Sequence, residues 1–208
     1  MIMHRPDPSA AIRSLRSAAP YIRMYKGKTF VVKAGGGVFA DAQAVRGLIE
    51  QIAILHYFGV RVVFVHGGGP QLTEVTEKLG VPTRMVQGRR VTDQKAIDAT
   101  SMVLNGLINT QLLSFCREMN IDAVGVSGVD AVLVRAHKRA PVNVDGQTVD
   151  YGFVGDIDEI DPSVLNKLLD NGLMPIVSPL SADETGTLLN TNAATVAAAI
   201  GAALDAEK

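Results

Sequence analysis

The chain of 208 residues carries 20 Lys and Arg against 21 Asp and Glu, a formal net charge of −1. This balance excludes a general electrostatic attraction to nucleic acid or to a membrane surface, and no apolar run reaches the roughly 18 residues that a spanning helix needs. Cys116 is the only cysteine, so no intrachain disulfide can form. Because residues 1–8 also lack the apolar stretch of a signal peptide, we expect a cytoplasmic protein.

The N-terminal segment, residues 9–25, has the apolar spacing of a helix. Pro20 lies inside the pattern and predicts a kink or two shorter helices. Arg13, Arg16 and Arg23 make the segment basic. Two interpretations remain open for it, a solvated surface or an arm that docks on another subunit.

A strand–helix–strand unit follows. Residues 28–33 and 61–65 read as buried strands, and Asp41 is placed to cap the helix between them. Strands joined through a helix are parallel, with a right-handed crossover. Parallel strands that are apolar throughout need helices on both faces of the sheet.

Each of these two strands is followed at once by glycines. Residues 35–37, the first glycine turn, come after Lys33, and residues 67–69, the second glycine turn, come after His66. Pro70 then opens a helix, whose first N–H groups attract anions. The pattern is neither Gly-x-Gly-x-x-Gly nor a P-loop. Two such turns at one sheet edge predict a phosphate or carboxylate site, with Gly35, Gly36, Gly68 and Gly69 as candidate donors.

The rest of the chain continues the alternation of helices and strands. The pattern predicts these elements: helices over 70–79, 94–115, 163–169 and from residue 193, strands over 122–126, 131–136 and 174–178, and turns at Gly88, Asp145-Gly146 and 183–186. We therefore expect an α/β fold, a three-layer α/β/α sandwich around a mainly parallel sheet.

Several polar residues are candidates for chemistry. Lys33 ends its strand, where parallel sheets bind ligands, and can neutralise a transferring phosphoryl group. Arg90 or Arg89 can bind a substrate carboxylate, although two solvated charges are the alternative. His66 is either an acid–base group or, in the interpretation we favour, a residue that shapes its loop. No histidine, cysteine or carboxylate cluster has metal-ligand spacing.

The ends of strands and helices offer two more candidates. Asn192 can cap the last helix, and Asn190 can contact a ligand. Cys116 lies in the apolar stripe of the long helix and is most simply a core residue.

With these residues in view, the chain resembles the amino acid kinase superfamily, and within it the N-acetylglutamate kinases. The motifs that carry the resemblance occur in family order: Pro20-Tyr21-Ile22-Arg23, Gly27-Lys28-Thr29, Lys33-Ala34-Gly35-Gly36, His66-Gly67-Gly68-Gly69-Pro70-Gln71, Gly88-Arg89-Arg90-Val91-Thr92-Asp93, Val124-Gly125-Val126-Ser127-Gly128-Val129-Asp130, Gly152-Phe153-Val154-Gly155-Asp156 and Asn190-Thr191-Asn192-Ala193.

The resemblance implies an enzyme of arginine biosynthesis that uses ATP with Mg²⁺ to phosphorylate the γ-carboxylate of N-acetyl-L-glutamate. In it, Lys33 bridges the transferring phosphoryl group, and Gly36, Gly68 and Gly69 donate N–H groups. Arg90 holds the substrate α-carboxylate, and Asn190 also binds substrate. The basic N-terminal helix resembles the arm with which arginine-inhibited members interlace dimers into a hexamer, so a homodimer or hexamer and an arginine effector are implied.

Two features depart from the family pattern. The family usually reads Asn-x-Asn-Ala-Asp, and Ala194 stands where that aspartate organises the catalytic lysines. In relatives, strands that carry most of the nucleotide site follow the position of Lys208. The chain is therefore either a fragment or a shortened relative, divided into an arm (residues 1–26) and a substrate-binding N-lobe (residues 27–208), with the nucleotide-binding C-lobe largely missing.

The departures leave two rival hypotheses open. A non-catalytic domain that binds arginine or acylated glutamate for regulation, as in N-acetylglutamate synthase, is favoured by Ala194. The other is related chemistry on a carrier-linked or different acyl amino acid, because Arg90 indicates a carboxylate without saying which one.

Overall fold

A computed structural model describes residues 8–208, and the expectations for residues 1–7, the start of the predicted arm and the segment tested for a signal peptide, lie outside it. No helix between residues 8 and 208 is both long and apolar enough to cross a bilayer. The strands of the described chain are β1 (Thr29–Ala34), β2 (Arg61–His66), β3 (Arg84–Val86), β4 (Arg89–Val91), β5 (Ala123–Ser127), β6 (Val134–Lys138), β7 (Val142–Val144), β8 (Gln147–Val149), β9 (Gly155–Ile160), β10 (Met174–Ser178), β11 (Leu180–Ala182) and β12 (Leu188–Asn190).

The helices alternate with these strands. They are α1 (Pro8–Tyr25), α2 (Ala42–Tyr57), α3 (Gly69–Lys78), α4 (Gln94–Ser101), α5 (Asn109–Glu118), α6 (Ser163–Asp170) and α7 (Ala193–Ala203), with short 3₁₀ turns at Gly36–Ala40 and Asp130–Val132 and a π-helical segment at Met102–Ile108.

The central sheet has four parallel strands in the order β1-β2-β10-β5. Strand β2 lies inside it and is buried on both faces. Val62 and Phe64 pack into one apolar cluster with α2 and α5, and Val63 and Val65 pack into a second cluster with α6 and α7. The alternation of side chains along a strand sends successive residues into opposite layers. The expected three-layer α/β/α sandwich with a mainly parallel sheet is confirmed.

A second, mixed sheet has the order β12-β11-β6-β9 and was not predicted. Strand β9 reads Gly-Asp-Ile-Asp-Glu-Ile, too polar to resemble a buried strand, and β11 and β12 have three residues each. The strand expected over residues 131–136 is also shifted. Residues 130–132 form a turn in which Ala131 and Val132 have positive φ, and the strand begins at Val134.

The two hairpins occur where the turn residues predicted them. Gln87 and Gly88 have φ of 47° and 74°, and Asp145 and Gly146 have φ of 49° and 81°. Two successive positive φ values are typical of the tight turns that join antiparallel strands. In the β3–β4 hairpin, Arg89 pairs with Val86 and Arg90 with Met85.

Two helices differ from expectation. Pro20 predicted either a kink or two shorter helices, and the second alternative is excluded because α1 runs through Pro20 as one element. The apolar side chains Ile12, Leu15, Tyr21 and Met24 of α1 are exposed. The long helix predicted over 94–115 is interrupted by the π-helical segment Met102–Ile108, whose apolar pattern does not differ from that of an α-helix.

Candidate active site

The two glycine turns meet at the carboxyl edge of the central sheet. The Gly67 N–H donates to the Ala34 carbonyl at 2.9 Å. A Cβ added to Gly36 would lie 2.5 Å from Pro70 Cδ and 2.9 Å from the Gly69 nitrogen. Contact this close leaves no room for any side chain at Gly36, so the two turns share one surface as the sequence predicted.

Gln71 joins the turns from the first turn of α3. Its Nε2 donates to the Gly36 carbonyl at 2.9 Å, while its Oε1 is buried and has no hydrogen-bond partner in the described chain. The amide therefore holds the backbone of the first glycine turn against the helix that begins at the second. Sequence reasoning quoted Gln71 in a motif but gave it no role.

A cavity of about 430 Å³ opens beside the two turns. All of the site residues predicted from the sequence line this cavity, although they come from different elements: Lys33, Gly35, Gly36, Gly68, Gly69, Arg90 and Asn190. Among the described residues, its lining also includes Arg89 and Arg139 and contains no Asp or Glu. A chain of net charge −1 thus concentrates four cationic side chains around one cavity, which suits an anionic ligand.

Lys33 occupies the end of β1 beside the first glycine turn. Its Nζ lies 3.6 Å from the position of a Cβ on Gly35, so the ammonium folds back over the turn. Within residues 8–208 Lys33 makes no ion pair, and its side chain is exposed. No carboxylate of the described chain therefore competes with a ligand for the Lys33 ammonium.

Arg90 reaches the cavity from the β3–β4 hairpin. Its Nη1 donates to Thr83 Oγ1 at 2.7 Å and its Nη2 to Thr73 Oγ1 at 2.6 Å. Both partners are neutral hydroxyls, so they orient the guanidinium and leave its charge uncompensated. Partial burial lowers the pKa of Arg90 from its ordinary value, but an arginine stays protonated at neutral pH.

The two asparagines before α7 have different structural roles. The Asn192 side chain accepts from the N–H groups of Ala194 at 2.9 Å and Thr195 at 3.1 Å, so the predicted helix cap is confirmed. Asn190 ends β12, and its backbone N–H donates to the Phe153 carbonyl at 2.9 Å. No hydrogen bond from the Asn190 side chain to the described chain is present, which leaves its amide available in the cavity.

His66 lies beneath the second glycine turn and outside the cavity lining. It is fully buried, with Nδ1 3.2 Å from the Gly67 carbonyl and Nε2 3.3 Å from Asn109 Nδ2. Burial lowers the pKa of His66 from 6.5 to about 4, so the ring is neutral at pH 7. A neutral ring donates from Nδ1 to the carbonyl and accepts from Asn109 at Nε2. This geometry favours the loop-shaping interpretation over acid–base chemistry.

Ala194 lies one residue beyond the cavity and is exposed. Its methyl group offers no charge to Lys33. Across residues 8–208, no three His, Cys, Asp or Glu side chains converge as a bound metal ion requires. The cavity itself therefore supplies amide and cationic donors, and it supplies no carboxylate oxygens for a metal.

Sequence reasoning missed Arg139, which also lines the cavity. Its guanidinium pairs with Asp156 on β9, 17 residues away. The only available signal was Asp156 at the end of the motif Gly152-Phe153-Val154-Gly155-Asp156, and strand β9, which carries Asp156, was not predicted.

Comparison with known proteins identifies the class that this fold and cavity define. Residues 28–208 match the amino acid kinase family, and the chain belongs to that family. The acetylglutamate kinase of Myxococcus xanthus is 46% identical over 98% of this chain and 67% of its own length. The acetylglutamate kinase of Methanothrix thermoacetophila is 40% identical over 93% of this chain and 67% of its own length.

Solved structures agree with this placement. N-acetylglutamate synthase from Neisseria gonorrhoeae, complexed with coenzyme A and N-acetyl-glutamate, superposes with a TM-score of 0.78 at 25% identity, covering 94% of this chain and 44% of that one. Giardia carbamate kinase shares the fold, with a TM-score of 0.58 at 17% identity over 86% of this chain and 72% of its own. The chain thus spans about two thirds of each curated kinase above and under half of the synthase.

Proposed function

We propose that this protein takes part in arginine biosynthesis as an acetylglutamate kinase, transferring the γ-phosphoryl group of ATP to the γ-carboxylate of N-acetyl-L-glutamate. The observation that carries the proposal is the single cavity in which two glycine turns, Lys33 and Arg90 converge with no carboxylate among the lining residues. Both reactants are anions, and their mutual repulsion has to be offset before they can react. The names of the curated relatives support this choice of substrate.

Each group has a role that follows from its position. Arg90, held by two hydroxyls with its charge uncompensated, binds the α-carboxylate as a fork, and the Asn190 amide binds beside it. The γ-carboxylate then lies against the N–H groups of Gly68 and Gly69 at the start of α3. These contacts place a carboxylate oxygen in line for attack on phosphorus, so the protein forms no covalent intermediate.

Lys33 and the first glycine turn fit the phosphate side of the reaction. Four donors at this end of the cavity can stabilise the negative charge that is spread over the phosphoryl oxygens. They are the N–H groups of Gly35, Gly36 and Gly68 and the Lys33 ammonium. Bound Mg²⁺ supplies further neutralisation of the ATP phosphates. Because the described chain offers no cluster of metal ligands, we propose that Mg²⁺ enters bound to ATP.

A second candidate function is favoured by one observation, the alanine at position 194. Without a carboxylate there, Lys33 has no ion-pair partner in the described chain, and we expect a loss of rate on the order of 100-fold or more relative to a site that has one. A non-catalytic domain that binds acylated glutamate or arginine for regulation needs Arg90 and Asn190 but not Lys33.

The decisive experiment is a hydroxylamine-trapping assay for acyl phosphate on the protein from its complete reading frame. The kinase proposal predicts steady turnover with N-acetyl-L-glutamate and MgATP that falls on the order of 100-fold or more in Lys33→Ala. Lys28→Ala is the matched control, since Lys28 precedes β1 and makes only an exposed ion pair with Glu207. Binding of N-acetyl-L-glutamate without turnover would instead establish the regulatory function.

We also propose that α1 is part of an arm, residues 1–26, that docks on a second copy of the chain in a homodimer or hexamer, with residues 27–208 forming the substrate lobe. The exposed apolar side chains Ile12, Leu15, Tyr21 and Met24 support this assignment, because apolar surface of that extent is ordinarily covered. A shift to monomer on Leu15→Glu, measured by sedimentation, tests it.

A further inference from the structure

Two of the three arginines that line the cavity have opposite electrostatic surroundings. Arg90 donates to Thr83 and Thr73, both of them neutral. Arg139 instead donates to a carboxylate, from Nε to Asp156 Oδ1 at 3.1 Å and Oδ2 at 3.0 Å, and from Nη2 to Oδ1. The charge of Arg139 is therefore compensated inside the protein, whereas that of Arg90 is not.

The pair is fixed in place by the second sheet. Arg139 follows β6, and its backbone N–H donates to the Val154 carbonyl at 2.8 Å, while Asp156 belongs to β9. The Arg139 side chain is only 17% exposed, compared with 41% for Asp156. The hydrogen bonds to Asp156 raise the pKa of Arg139 and lower the pKa of Asp156, so both groups stay charged and paired.

The pairing leaves one part of the guanidinium unused. Nη1 of Arg139 has no hydrogen bond to any residue of the described chain, and it is not among the buried unpaired atoms. A guanidinium whose charge is already paired gains less from a second carboxylate than Arg90 does, but its free N–H groups need an acceptor once a ligand displaces water from the cavity. A neutral carbonyl oxygen meets that need.

We propose that Arg139 is a specificity-determining residue that donates from Nη1 to the acyl carbonyl oxygen of the substrate and so distinguishes an N-acylated amino acid from the free one. A free α-ammonium group carries only donors and a positive charge, and it offers nothing that Nη1 can bind. The assignment rests on the proposed function, since it concerns the acyl end of the same substrate.

The test compares two ligands that differ in the acylamino group. Dissociation constants for N-acetyl-L-glutamate and for glutarate, which has the same two carboxylates and no acylamino group, are measured by titration calorimetry, glutarate by displacement. We expect Arg139→Met to weaken N-acetyl-L-glutamate at least 10-fold and glutarate less than 2-fold. Arg90→Met, the matched variant, weakens both ligands. Arg139→Gln, which keeps an N–H donor, recovers part of the loss and also serves if the Met variant fails to fold.

The outcomes separate this assignment from the proposed function. Equal weakening of both ligands in Arg139→Met, or weakening of neither, would overturn the role of Arg139 while leaving the kinase proposal intact. A wild-type protein that binds neither ligand would contradict the proposed function and this assignment with it. Free L-glutamate gives the direct readout of specificity, and the preference for the acylated ligand should fall at least 10-fold in Arg139→Met.

Discussion

The two glycine turns look alike in sequence but are closed in different ways. Gly36 in the first turn faces the backbone of the second, with Pro70 Cδ and the Gly69 nitrogen within 3 Å of an added Cβ. A Cβ added to Gly68 in the second turn would instead meet side chains of the π-helical segment, Ile108 Cδ1 and, at 2.6 Å, Leu104 Cδ2. Gly37 and Gly69 have no such neighbour within 4 Å. Within one run of three glycines, some positions therefore have room for a side chain and others do not.

The largest effect is expected at Gly36. The Gly36→Ala methyl group meets a proline ring and a backbone nitrogen, neither of which can rotate away, so the two turns have to separate. We expect a destabilisation of about 3 kcal/mol and loss of measurable ligand binding. Chemical denaturation and calorimetry with N-acetyl-L-glutamate measure the two effects. Gly37→Ala is the control, because Gly37 lies in the same turn, has open space and does not line the cavity.

His66 lies under the second turn, and its ring also meets Phe39 edge-on in the 3₁₀ turn that continues the first turn, so its effect on stability appears as a pH dependence. Its pKa is about 4 in the folded chain and 6.5 when unfolded, so below pH 6.5 the unfolded chain takes up a proton that the folded chain refuses. Stability should fall by about 3 kcal/mol as the pH is lowered from 7 to 4, and the loss levels off below pH 4 as the folded chain also takes up the proton.

Denaturation curves at pH 7, 5.5 and 4 measure this slope in wild type and in His66→Gln. The variant should lose that part of the slope which belongs to the buried ring. His137→Gln is the control, because His137 is exposed and its replacement should leave the pH dependence of stability nearly unchanged. Parallel slopes in wild type and His66→Gln would show that the buried ring is not what couples the second turn to pH.

Gly68→Ala should cost less than Gly36→Ala, because the atoms it meets belong to side chains that can change rotamer. We expect a loss of about 1 kcal/mol in stability. Ile108→Val removes the Cδ1 atom that lies closest to the added methyl group, so the double variant should be more stable than the two single effects predict. Strict additivity in this double-mutant cycle would mean that the π-helical segment does not close the second turn.

The smallest effect on folding is expected at Gly69, which begins α3. Gly69→Ala adds a methyl group in open space at a helical position, which should leave stability unchanged or raise it by a few tenths of a kcal/mol. The same methyl group projects from a residue that lines the cavity, so the affinity for N-acetyl-L-glutamate should still fall. A variant that is as stable and binds as tightly as wild type would remove Gly69 from the ligand surface.

The sequence sufficed for the parts of the fold that local pattern determines. Residues 62–65 are apolar without interruption, which is the pattern of a strand buried on both faces. Asn192 directly precedes the alanine-rich helix, at the position where an asparagine commonly caps a helix. The placement of Lys33 beside the first glycine turn followed directly, since both belong to one short stretch of chain.

What escaped prediction depends on contacts between distant segments. Strand β9 has three acidic residues among six, and the consecutive Asp158 and Glu159 break the alternation of a strand, so its pattern resembles a surface loop. The π-helical segment has the apolar spacing of an ordinary helix, and its extra width is visible only in the backbone. Arg139 could not be assigned without β6 and β9, which bring it to Asp156.

The central claim is that the N–H groups of the second glycine turn and the Arg90 guanidinium bind one acidic ligand, and amide chemical shifts report on this directly. On titration with N-acetyl-L-glutamate, the N–H signals of Gly68 and Gly69 and the Nε–H signal of Arg90 should move together with a single dissociation constant, while the N–H of Gly37 stays still. Saturable shifts that fall elsewhere on the protein, with Gly68 and Arg90 unmoved, would contradict it.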